Sequence, residues 1–75
     1  MPKRDTTLSK FGQNVRKNRE AKGLTQEGLS EAAGLDRTYV SDIERGTRNA
    51  GIKNVARLAK ALGISAAKLV EGLGA

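Results

Sequence analysis

Glycines at positions 23, 34, 46 and 63 cut this chain into short runs, and that punctuation limits the fold more than any other feature. Glycine is the usual residue just past a helix end, because it takes the left-handed conformation without a Cβ penalty. Between the glycines, apolar residues recur at helical spacing, with no strand-like alternation and no internal repeat. Helices this short are marginal in water unless an apolar face is packed. The chain is therefore predicted to be all-α, a compact domain of five helices.

The first helix is expected over about residues 8 to 22, with Leu8, Phe11 and Val15 on one face. Asn18 falls on that same face, where a buried amide must hydrogen-bond locally or lie at the helix margin. The second, about 25 to 33, can be capped by Thr25 and turns Leu29, Ala32 and Ala33 inward. It accepts Gly28 mid-helix at a cost of about 1 kcal/mol relative to alanine. Asp36 caps a third helix running to about Arg45. The fourth, about 52 to 62, is expected to bury Ile52, Val55, Ala56, Leu58, Ala59 and Leu62, with Lys53, Arg57 and Lys60 on a solvated opposite face. Ser65 can cap a fifth, whose Ala66, Leu69, Val70 and Leu73 form an i, i+3, i+4, i+7 stripe. That stripe serves either the domain's own core or a second copy of the protein. Residues 1 to 7 read as a basic, flexible N-terminal lead-in, and residues 8 to 75 as the domain.

At 75 residues the domain buries only about 60% of the surface its unfolded chain exposes. It has neither cysteine nor histidine, so disulfides, the usual zinc ligands and the commonest general base are absent together. Dimerisation is the remaining support. No phosphate loop matches G-x-x-x-x-G-K-[ST], and no carboxylates converge on a metal or an acid–base pair. The expectation is no enzyme, no cofactor and no metal. There is no secretory signal and no apolar run near the roughly 20 residues a membrane span needs, which points to the cytoplasm.

Fourteen Lys and Arg against eight Asp and Glu give a net charge of +6, a sign that suits nucleic acid. Phe11 and Tyr39 are the only aromatic residues and both fall on apolar faces, which disfavours base stacking on single strands. Double-stranded DNA is the expected partner. On a helix of about 100° per residue, DRTYVSDIERGTRN places Tyr39, Val40 and Ile43 together. Arg37, Thr38, Ser41 and Arg45 cluster within about 100° on the other side.

Two short helices joined by Gly34-Leu35-Asp36 have the sequence form of a helix-turn-helix. With FGQNVRKNREAKGLTQEGLSEAAGL and VARLAKALGIS on either side, the chain resembles the lambda-repressor-like, or Xre-type, helix-turn-helix regulators over about residues 10 to 71. DRTYVSDIERGTRN looks most like the controller proteins of restriction-modification systems. It departs from the family pattern at Asn18, at Ser30, and at Ala50-Gly51, which stands where a Pro-Ser or Pro-Thr pair commonly precedes the fourth helix.

The resemblance and the helix geometry together make Arg37, Thr38, Ser41 and Arg45 the base-reading candidates. Arg37 suits a bidentate contact to guanine O6 and N7, Thr38 a thymine methyl, and Ser41 bases or phosphate. Gln26 matches a family position that touches the DNA backbone, at a helix N-terminus that favours anions. Arg48 and Asn49, with Arg45, resemble the cluster that follows the recognition helix in controller proteins. The Tyr39 ring can pack inward while its hydroxyl reaches a phosphate. Asp42 is expected to hold a neighbouring arginine, and Glu44 to be a structural partner for another. Lys3 and Arg4 form either a minor-groove arm or a disordered tail.

The resulting expectation is a sequence-specific transcription regulator, a homodimer on a palindromic operator, with Ile64, Leu69, Val70 and Leu73 at the dimer contact. RNA polymerase is a further partner; no small-molecule effector is expected, for want of a sensing domain. The alternative is an antitoxin-like adaptor whose main partner is another protein, since fold does not fix function.

Overall fold

The computed structural model describes residues 6–74 as five helices, α1 Thr6–Ala21, α2 Gln26–Ala33, α3 Arg37–Arg45, α4 Ile52–Leu62 and α5 Ala66–Leu69. Lys3 and Arg4 lie outside the described residues. Helix α1 begins two residues before Leu8, so Thr6 and Thr7 belong to it rather than to a lead-in. Three starts are fixed by the expected side chains. Thr25 Oγ1 accepts from Gly28 N at 2.9 Å, Asp36 Oδ1 from Thr38 N at 2.8 Å, and Ser65 Oγ from Lys68 N at 3.2 Å. Helix α4 starts at Gly51 with no side-chain cap, as the missing Ser or Thr implies.

Phe11 and Val15 from α1, Leu29 and Ala33 from α2, Val40 and Ile43 from α3, and Val55, Leu58, Ala59 and Leu62 from α4 form one core. Two glycines let α1 and α3 cross closely. A Cβ on Gly12 would overlap the Ile43 carbonyl oxygen and lie 2.6 Å from that of Glu44. Gly46 combines a φ of 76° with a Cβ direction that would meet Ser9 Cα at 2.8 Å. Ser30, the small residue at the α2–α3 crossing, is buried and donates to the Glu27 carbonyl at 2.7 Å. Asn18 is half-buried and donates to the Asn14 carbonyl at 2.8 Å, so it is both marginal and locally satisfied.

Three expectations are corrected. Ile52 is 82% exposed and Ala56 is exposed, because they lie at the edge of α4, about 70° and 110° from the direction of its buried residues. Ala32 is exposed for the same reason, on α2. Helix α5 is a single turn, and Leu69 is fully buried in the core. The chain cannot continue as a helix through Gly72, whose φ of 80° is left-handed, and Asn14 Nδ2 donates to the Leu69 and Glu71 carbonyls at 2.8 and 2.9 Å, satisfying acceptors left at the helix end. Leu69 is thus withdrawn from any exposed stripe, while Val70 is exposed and Ile64 and Leu73 are half-buried.

Candidate nucleic-acid interface

The outer face of α3 is where the expected reading residues meet. Arg37, Thr38 and Ser41 line one shallow depression of about 210 Å³, and Gln26, from the first turn of α2, completes it. Arg37 and Thr38 are exposed and Ser41 is half-buried. Gln26, Arg37 and Thr38, which begin α2 and α3, all lie on this surface, so the N-terminal ends of both helices are at it and favour anions there.

Gln26 is held from beneath. Its Nε2 donates to Glu44 Oε1 at 3.1 Å, and Glu44 is paired with Arg19, Nε to Oε2 at 2.7 Å and Nη2 to Oε1 at 3.1 Å. Both side chains of the pair are nearly removed from solvent, 12% exposed for Arg19 and 3% for Glu44. Arg19 Nη1 also donates to the Leu24 carbonyl at 2.8 Å, so one guanidinium joins α1, the turn before α2, and α3. The hydrogen bond to Glu44 raises the Arg19 pKa above its ordinary value, outweighing burial, which acts the other way. Glu44 thus has the structural role expected of it. Its partner Arg19 was not anticipated, although an arginine four residues after Val15 on the inward side of α1 was the signal.

A second network anchors the segment after α3. Asp42 pairs with Arg45 and, at 3.4 Å, with Arg48, and the Asp42 carbonyl accepts from Thr47 Oγ1 at 3.2 Å. The Arg48 guanidinium stands 5.1 Å from the centroid of the Tyr39 ring. Asn54 Nδ2, from α4, donates to the Tyr39 hydroxyl at 2.8 Å, which leaves the hydroxyl proton to donate outward. Asp42 therefore holds neighbouring arginines, as expected, and Asn54 is a supporting residue that helical periodicity did not single out. Arg45 is drawn towards Asp42 and does not line the depression formed by the other three reading residues. Asn49 is not brought into either group; it is exposed and borders an apolar groove with Leu8, Phe11, Val55, Val70 and Leu73.

A family profile described as helix-turn-helix matches residues 15–69. The chain belongs to the helix-turn-helix family. Control protein C.BamHI of Bacillus amyloliquefaciens is 47% identical over 62 residues, 81% of this chain and 76% of the relative. The restriction-modification controller protein C.AhdI from Aeromonas hydrophila superposes with a TM-score of 0.85 at 49% identity, covering 87% of this chain and 98% of the other. The controller protein C.Esp1396I, as a tetramer in complex with its natural 35 base-pair operator, matches with a TM-score of 0.82 at 42% identity, over 92% and 91% of the two chains. The five-helix architecture and the helix-turn-helix at α2 and α3 stand as expected. Among the described residues no helix is long and apolar enough to cross a membrane, and no group of three or more potential metal ligands occurs.

Proposed function

We propose that this helix-turn-helix chain is a sequence-specific, cytoplasmic transcription regulator of the restriction-modification controller type, binding a palindromic DNA operator as a homodimer. The observation that carries this is the convergence of Arg37, Thr38, Ser41 and Gln26 on one exposed depression above the Arg19–Glu44 pair. The similarity to a controller protein seen on its operator supports the same reading. An α-helix fits the major groove, and Arg37 reads guanine there. Thr38 and Ser41 contact neighbouring bases or phosphate, and Arg45 joins them on exchanging Asp42 for DNA. Gln26, the Tyr39 hydroxyl and Arg48 contact phosphate, with Asn49 at the margin of the interface. Activation would add RNA polymerase as a partner, and control would run through protein concentration rather than a small ligand.

Selection of bound duplexes from a random pool tests this reading. The parent should enrich a palindrome with half-site centres about 34 Å apart or a multiple of it. Arg37→Ala should lose about 1–3 kcal/mol and relax preference at one symmetric base pair. Equal losses on selected and random DNA would remove the base-reading role.

For the dimer contact, the buried Leu69 is replaced by Ile52. Its exposed side chain can enter the apolar groove edged by Val70 and Leu73 on a second copy, and the half-buried Ile64 keeps its expected place at the contact. Ile52→Asp should leave the fold intact, since the side chain is already in water, and shift sedimentation to the monomer. A dimer that persists unchanged would exclude Ile52.

A further inference from the structure

A cleft of about 350 Å³ opens between α1 and the α5 turn, apart from the DNA-facing surface. On α1, Gly12 and Arg19 face α3, and Lys10 and Lys17 stand about 160° around the helix from them. The cleft gathers Lys10, Lys17 and Lys68 against a single carboxylate, Glu71. None of these lysines forms an ion pair among the described residues, whereas Arg16, Arg45 and Arg48 each hold a carboxylate. The floor is fixed by Asn14, whose amide protons are both engaged by the Leu69 and Glu71 carbonyls, and by Asn18, bonded to the Asn14 carbonyl. Their carboxamide oxygens are left as acceptors without a donor among the described residues.

Charge and acceptors together select the ligand. Cations suit carboxylates or phosphates equally, but the cleft's amide oxygens can only accept, and a DNA phosphodiester backbone carries no donor for them whereas a peptide carries an N–H at every residue but proline. Asn14 and Asn18 are four residues apart, about 6 Å along α1. That is close to the roughly 6.6 Å between residues i and i+2 of an extended chain. Lys10 and Lys17 are separated by about 10.5 Å along the same axis, between the roughly 6.6 and 13 Å that separate same-face side chains of an extended chain, a difference that the flexible lysine stems can span. We infer that this cleft docks an extended acidic segment of a partner protein, its main-chain N–H groups on Asn14 and Asn18 and its carboxylates on Lys10, Lys17 and Lys68. The site adds a protein partner to the DNA-binding reading without depending on it, since the two lie on opposite flanks of α1.

The probe is an acetylated, amidated peptide, Thr-Glu-Thr-Glu-Thr-Glu-Thr, titrated into the isotope-labelled full chain at near-physiological salt, with inorganic phosphate titrated separately. Saturable shifts centred on the Asn14 and Asn18 side-chain amides are expected with the peptide. Lys10→Gln/Lys17→Gln should weaken peptide binding at least about ten-fold, the equivalent of about 1.4 kcal/mol, and leave affinity for the selected duplex within about two-fold. Asn18→Ala keeps the helix and removes one acceptor, so it should weaken the peptide by about five-fold without changing the response to phosphate. Absence of saturable shifts, a peptide affinity indifferent to the lysine changes, or an Asn18→Ala effect that is nil or equal for peptide and phosphate would each overturn the inference. Loss of duplex binding in the lysine variant would overturn it as well, by assigning the cleft to DNA.

Discussion

Arg19→Met is expected to lower the unfolding free energy by about 3–5 kcal/mol, because it strands the Glu44 carboxylate in a nearly dry site without its counter-charge. A domain of 75 residues has only about 4–11 kcal/mol in total, at about 0.05–0.15 kcal/mol per residue. The variant should therefore melt at least about 12 °C below the parent, at about 4–8 °C per kcal/mol for this size. The deficit measures a broken pair rather than the worth of an intact one. Arg19→Met/Glu44→Leu, which removes both charges, should recover most of it, as buried pairs exchanged for apolar residues often do. Urea unfolding of both variants decides the matter. An equal loss in the double variant would assign the effect to the Arg19 stem and its bond to the Leu24 carbonyl. Because the Arg19 pKa is raised, its contribution is complete below the ordinary arginine pKa and is lost only as pH rises through the folded-state value. The deficit should accordingly not titrate through Arg19 between about pH 6 and 9.

The same pair marks where sequence reasoning reaches its limit. Helix starts were legible because each depends on one side chain and a backbone group within three residues, as at Thr25, Asp36 and Ser65. The grouping of Arg37, Thr38 and Ser41 was legible for a similar reason, being set by the turn of a single helix. The Arg19–Glu44 pair spans 25 residues, and nothing local in either helix specifies the partner. Gly12 was missed because its requirement comes from the separation between two helices, which periodicity does not encode. Ile52 failed differently. Its spacing from Val55 and Ala59 matched an apolar stripe, but the stripe's true centre is set by what α4 packs on, and the first residue of the helix runs past that support.

Leu69→Ala is expected to cost about 2–5 kcal/mol, the range for emptying a fully packed leucine site. Helix α5 is one turn long and cannot hold itself. Leu69 attaches it to the core from one side and Asn14 from the other, through the Leu69 and Glu71 carbonyls. Losing the leucine should loosen this segment first, and with it Val70 and Leu73 at the edge of the apolar groove. The outcome separates core from interface. A core residue gives a loss visible at every protein concentration, including those at which the parent is monomeric, whereas an interface residue acts by mass action and only where dimers form. Ile52→Asp should show the opposite pattern, with monomer stability nearly unchanged and the dimer lost. If Leu69→Ala were silent in dilute monomer and costly only at dimeric concentrations, Leu69 would belong to the interface and α5 would have to move to expose it.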